Sequence, residues 1–137
     1  MFEEFKKKFV KVNKGKIFCR VGGKGPPLLL LHGYPQTHIM WHKTANELSK
    51  SFTIIVADLR GYGSSFILKS DKQHLNYSKR EMAKDMVQLM NKLGFKKFCI
   101  AGHDRGGRVA HRLARDYRKK VIALSVLDIC PTLDMYE

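Results

Sequence analysis

The sequence predicts an α/β protein with a mostly parallel sheet and helices on both of its faces. Continuous apolar runs, the pattern of strands buried on two sides, alternate with stretches whose apolar residues recur at helical spacing. Each run ends abruptly at Gly, His or Asp. The 137 residues, 44% of them apolar, suit one domain with a packed core.

Phe5–Val12 and Lys16–Val21 alternate apolar and charged residues around Asn13-Lys14-Gly15, which predicts a β-hairpin with one wet face. Gly22-Gly23-Lys24-Gly25-Pro26-Pro27 is a loop. Leu28–Leu31 is the first strand buried on both faces, turned by His32-Gly33-Tyr34-Pro35. Met40, Trp41, Ala45 and Leu48 place a helix over Ile39–Leu48, and Phe52–Ala57 is a second buried strand ending at Asp58. Ser65–Asn76 is polar and irregular, a surface loop. Ser78 with Glu81 three residues on forms a capping box, behind which Met82, Met86, Leu89 and Leu93 make a core-facing helical stripe stopped by Gly94. Lys97–Ala101 predicts a third buried strand. Val109, Ala110, Leu113, Ala114 and Tyr117 mark the next helix, and Val121–Leu127 a fourth strand ending at Asp128.

The balance of 26 basic and 12 acidic residues leaves a net charge of +14. The basic residues are scattered and no aromatic stacking platforms lie among them, so a lysine-rich solvated surface is expected rather than specific nucleic-acid binding. Steering of a small anionic substrate is the remaining use of that charge. No apolar run is longer than Leu28–Leu31, which is far too short for a membrane span, and no apolar signal region follows Met1; the expectation is a soluble cytoplasmic protein with no membrane partner. Cys19, Cys99 and Cys130 are odd in number and widely spaced, which favours reduced thiols over a metal or disulfide role, and no cofactor is expected.

In a parallel sheet ligands bind at the carboxyl ends of strands. His32-Gly33-Tyr34, Asp58-Leu59-Arg60, His103-Asp104-Arg105 and Asp128 all fall there. Gly102-His103-Asp104-Arg105-Gly106 between a strand and a helix is a nucleophile turn, with Asp104 where esterases carry serine. An aspartate is ionised at neutral pH and needs no activating base; it suits attack on a saturated carbon bearing a leaving group. If the turn forms, the backbone N–H groups of Tyr34 and Arg105 are placed as an oxyanion hole. Arg105 and Arg108 sit on the helix's first turn, where the dipole disfavours cations. Either they read a substrate carboxylate through bidentate forks, or they pair with Asp104 or a neighbouring acid.

His32-Gly33-Tyr34-Pro35-Gln36, Asp58-Leu59-Arg60-Gly61-Tyr62-Gly63, Gly102-His103-Asp104-Arg105-Gly106-Gly107-Arg108 and Leu127-Asp128-Ile129 together resemble the haloacetate (fluoroacetate) dehalogenase family of α/β-hydrolases, from about Leu28 onward. The resemblance implies Asp104 as nucleophile, Arg105 and Arg108 as clamps on a haloacetate carboxylate, and Asp128 as the acid orienting a catalytic histidine. It also implies that residues 1–137 are the N-terminal part of a single hydrolase domain, without the cap domain, the last strands and the histidine base, so that the chain alone is expected to be inactive. Related soluble epoxide hydrolases share the HGxP turn and Asp nucleophile but usually carry an aromatic where Arg105 stands. The alternatives are an epoxide hydrolase-like fragment and a non-catalytic interaction module. An exposed sheet edge is expected after the fourth strand, to be completed by a C-terminal polypeptide or a homodimer. Of the six histidines, His32 is expected to be structural, His103 to point away from the cleft, and His38, His42, His74 and His111 to be exposed. Arg60 is expected to make a structural loop contact.

Overall fold

The computed structural model describes residues 1–131 together with Leu133 and Asp134. Strands β1 (Lys6–Val12) and β2 (Gly15–Gly22) form the expected hairpin, paired from Lys6↔Val21 to Val12↔Gly15. β3 (Pro27–Leu31), β4 (Thr53–Ala57), β5 (Phe98–His103) and β6 (Val121–Leu127) follow, and the sheet order is β1-β2-β4-β3-β5-β6. β4, β3, β5 and β6 are mutually parallel, whereas β2 joins β4 antiparallel. The carboxyl ends of four strands are therefore brought to one edge.

The helices are α1 (His42–Leu48), α2 (Lys79–Lys92) and α3 (Arg105–Asp116). The helix expected over Ile39–Leu48 is divided: His38–Trp41 is a 3₁₀ turn capped by the Thr37 side chain, and the α-helix starts after it. Ser78 caps α2 by accepting from the Glu81 N–H at 3.2 Å, and Gly94 follows the helix at φ 90°, a conformation glycine adopts without strain.

Alternation along β3 and β4 divides the core. Leu29, Leu31, Ile55 and Ala57 face α2 and α3, where they meet Met82, Met86, Leu89, Met90, Val109 and Leu113. Leu28, Leu30, Ile54 and Val56 face the opposite layer, with Trp41, Ala45 and Phe2. Both strands are thus buried on two sides, as their continuous apolar runs require.

Two strands depart from that pattern. β5 alternates buried and half-buried residues, so only its α2–α3 face is closed. β6 is exposed from Ile122 onward, with Ile122 at 58% and Val126 at 40% exposure. Its sequence is as apolar as that of β4, but it is the sheet's edge among the described residues. Among those residues no helix is long and apolar enough to cross a membrane.

Candidate active site

The sharp turn at the end of β5 builds the site. Asp104 sits at φ 52° and ψ −119°, outside the broad allowed regions, immediately before the first residue of α3. Its N–H donates to the Leu127 carbonyl at 3.0 Å, and its carbonyl accepts from the Gly107 N–H at 2.9 Å. The flanking glycines have a steric cause. A Cβ on Gly102 would run into the backbone of Gly106, and one on Gly106 into the carbonyls of Leu31 and His32. Gly33 matters equally, because a Cβ there would lie 2.7 Å from Asp104 Oδ2.

The Tyr34 N–H donates to Asp104 Oδ2 at 3.0 Å, and the Arg105 N–H also reaches the carboxylate. Burial pushes the Asp104 carboxyl up, but these two donors, with the positive fields of His103 and Arg105, more than offset it and hold it below its ordinary value. Asp104 is therefore a half-buried, ionised carboxylate whose oxygens already face two backbone donors. The Arg105 guanidinium stacks over the Tyr34 ring at 4.5 Å and donates to the Tyr62 hydroxyl at 3.3 Å, while Arg108 lies half-buried on the same turn of α3.

Asp128 ends β6 at φ 55° with its side chain 86% exposed. The histidine within reach of it is His103, whose Nε2 lies 3.5 Å from Asp128 Oδ2. His103 was expected to point away from the cleft. Instead its ring spans the site's edge, meeting Gln36 Oε1 at 3.2 Å on the Nδ1 side. That same Gln36 oxygen accepts from the Gly33 N–H at 3.1 Å, so the side chain braces the turn that presents Tyr34.

The other strand-end residues are structural. His32, fully buried, donates from Nδ1 to the Gly33 carbonyl at 2.8 Å and accepts from the Leu59 N–H at Nε2 at 3.0 Å. Burial lowers its pKa more than the Gly33 carbonyl and Asp58 raise it. Asp58 is also fully buried and accepts from the His38 N–H at 2.7 Å, His38 Nδ1 at 2.8 Å and the Ser64 N–H at 3.0 Å. This corrects the expected exposure of His38, which is enclosed between Asp58 and Arg20; Arg20 donates to its Nε2 at 3.0 Å. His42 is half-buried, with Nδ1 at 2.9 Å from the Ile39 carbonyl, whereas His74 and His111 are exposed. Arg60 is a buried structural group: Nε and Nη2 fork onto both Asp85 oxygens at 2.6 Å each, and Nη1 donates to the Asn76 carbonyl. Burial raises the Asp85 carboxyl, and the Arg60 fork opposes that rise.

Sequence reasoning missed Lys79, which opens α2 directly after Ser78 and whose ammonium feels the charges of Arg105, Arg108 and Asp104. The available signal was a cation on the first turn of a helix, the same anomaly that singled out Arg105 and Arg108. Among the described residues no group of three His, Cys, Asp or Glu side chains could hold a metal ion.

A model of the alpha/beta hydrolase fold matches residues 26–135. Over its whole length the chain is 50% identical to a fluoroacetate dehalogenase of Burkholderia sp, of which it covers 45%. It is 39% identical to a soluble epoxide hydrolase of Corynebacterium sp. (strain C12), over 89% of this chain and 41% of that protein. A solved structure from Nostoc sp PCC 7120, assigned to the alpha/beta hydrolases, superposes with a TM-score of 0.98 at 53% identity, over 99% of this chain and 47% of that one. The chain spans less than half the length of the relatives it matches.

Proposed function

The chain belongs to the alpha/beta hydrolase fold family, and from that premise we propose that it carries the nucleophile half of a hydrolase acting on small 2-halo carboxylates. The observation that carries the reading is the Tyr34 N–H on Asp104 Oδ2 at 3.0 Å, beside Arg105 and Arg108 on the first turn of α3. An Asp104 oxygen attacks the carbon bearing the halogen; the carbon–halogen bond breaks, halide leaves with its electron pair, and an aspartyl ester forms. Arg105 and Arg108 hold the substrate carboxylate and offset its repulsion from the Asp104 carboxylate. When water adds to the ester carbonyl, negative charge develops on the oxygen facing the Tyr34 and Arg105 N–H groups. A base takes the water's proton, and the products are the 2-hydroxy acid and free Asp104.

The 50% identity to a fluoroacetate dehalogenase, against 39% to a soluble epoxide hydrolase, favours the haloacid over an epoxide. Coverage of 45% supports reading residues 1–137 as the N-terminal part of a larger hydrolase domain. In that reading the base comes from polypeptide beyond these residues or from a complementing chain, and the exposed edge of β6 receives it. His103 touches Asp128 from the strand before it, and its Nδ1 is committed to Gln36, so it is a poor base for water at Asp104.

The test is incubation of the purified chain with chloroacetate, with free chloride and the mass of the Asp104 peptide both measured. The expected outcome is a stoichiometric adduct on Asp104, absent in Asp104→Asn, without sustained chloride release. Continued turnover by the chain alone would overturn the assignment of the base to other polypeptide. Absence of both adduct and chloride, even with the C-terminal half of a relative added, would overturn the haloacid reading.

A further inference from the structure

The turn after β4 reaches the site through one side chain, Tyr62. Asp58 anchors that turn: its Oδ2 accepts from the Ser64 N–H at 3.0 Å, and a Cβ on Gly63 would run into the same oxygen. The Gly61 N–H donates to the Phe66 carbonyl at 2.9 Å, and the Tyr62 N–H to the Leu59 carbonyl at 3.0 Å. Tyr62 is half-buried, packs against the core shared with α2 and α3, and meets the His32 ring edge-on at 5.1 Å between centroids. Its backbone and ring are both held, and its hydroxyl accepts from Arg105 Nη1 at 3.3 Å. Arg105 itself is exposed, and among the described residues it forms no ion pair, with Asp104 or any other carboxylate. Its guanidinium instead lies over the Tyr34 ring, 4.5 Å from the centroid. Tyr34 also gives its N–H to Asp104 Oδ2, so one residue ties the position of the cation to that of the carboxylate.

We infer that Tyr62 is a positioning residue of the Asp104 site: its hydroxyl orients the Arg105 guanidinium, lying on the Tyr34 ring, to receive the carboxylate of a small substrate. The inference rests on the halocarboxylate reading above and names the residue that sets its charge preference through Arg105. A long exposed side chain loses rotamer entropy when it is held in one geometry, so an Arg105 ordered in advance by two tyrosines binds an anion at lower cost. One N–H of the guanidinium goes to Tyr62, and the planar fork offers the others to a second acceptor at a fixed angle. A carboxylate depends on that angle, whereas a neutral substrate of the same size gains little from it. The Tyr62 ring belongs to the core; among the described residues its hydroxyl has Arg105 as its hydrogen-bond partner.

Tyr62→Phe removes the hydroxyl and keeps the ring on His32 and the core, so the variant is expected to fold. Chloroacetate and chloroacetamide differ in charge at nearly constant shape. Their initial rates of adduct formation on Asp104 are compared in the full chain, in Tyr62→Phe, in Arg105→Met and in the double variant, together with the affinity of each protein for glycolate, a carboxylate that cannot alkylate. Tyr62→Phe is expected to lower the chloroacetate rate and the glycolate affinity about fivefold, on the order of the worth of one hydrogen bond, and the chloroacetamide rate by less than about twofold. Because Tyr62 acts through Arg105, adding Tyr62→Phe to Arg105→Met is expected to change the chloroacetate to chloroacetamide ratio by less than about twofold. A ratio unchanged in Tyr62→Phe overturns the inference and leaves the nucleophilic reading standing. An equal fall in both rates overturns it too, as does an undiminished loss in the Arg105→Met background, or glycolate affinity that is absent in the wild type or indifferent to Tyr62. Glycolate affinity that falls in Tyr62→Phe while no protein forms an Asp104 adduct supports the positioning role and overturns the nucleophilic reading instead.

Discussion

The carboxyl ends of β4 and β6 look alike in sequence and are opposite in structure. Ile54-Ile55-Val56-Ala57 runs into Asp58, and Leu124-Ser125-Val126-Leu127 runs into Asp128. β4 lies between β2 and β3, covered on both faces; β6 is the edge among the described strands, and its apolar side chains meet solvent. Asp58 is accordingly fully buried and bonded to His38 and Ser64, whereas the Asp128 side chain is 86% exposed, with the His103 ring its one ion-pair partner among the described residues. A strand-end aspartate becomes a structural keystone where neighbouring strands and loops close over it, and stays available where they do not. Asp104 stands between these extremes, braced by backbone donors yet only half-buried.

The contrast is broken most forcefully at the closed end. Arg60→Met leaves Asp85 buried without its fork, an uncompensated charge expected to cost about 3–5 kcal/mol in denaturant unfolding. A loss below about 1 kcal/mol would show that the network behind β4 does not hold that end together.

Asp58→Asn is the next largest. It leaves the His38 and Ser64 donors facing a weaker acceptor, and the expected loss is about 2–3 kcal/mol at neutral pH. The pH dependence has a definite sign. Burial raises the Asp58 carboxyl, but its donors outweigh burial and hold the folded-state pKa below the ordinary 3.8. Its stabilising contribution is therefore complete above that value and is lost as pH falls through the lower folded-state value. The stability gap between wild type and Asp58→Asn should close on acidification below about pH 4, and a gap independent of pH would contradict the ionised buried carboxylate.

At the open end the effect should be smallest. Asp128→Asn changes an exposed side chain whose one ion-pair partner among the described residues is 3.5 Å away, so the stability should shift by less than about 0.5 kcal/mol. A cost comparable to that of Asp58→Asn would mean that β6 is closed in solution by material its edge recruits.

Much of this organisation was legible from local chemistry. The β3 and β4 runs demanded burial on both faces and received it. The sharp turn at Asp104 was legible because glycine spacing and the strand–helix junction leave the backbone one way to go, and that path carries the Tyr34 and Arg105 N–H groups to Asp104. His38 was misplaced because polarity suggested solvent, whereas Arg20 on β2 and Asp58 after β4 close around it.

The sequence alone determined the alternation of strands and helices, the turn at Asp104 and the basic character of the helix that follows it, since each depends on residues within a few positions of one another. Tertiary structure alone decided which strand-end aspartate is sealed and which is open, which face of β5 is covered, and which histidine is enclosed between Asp58 and Arg20. Those outcomes depend on what packs against a segment from elsewhere in the chain, and a residue's own neighbours in sequence carry no record of that.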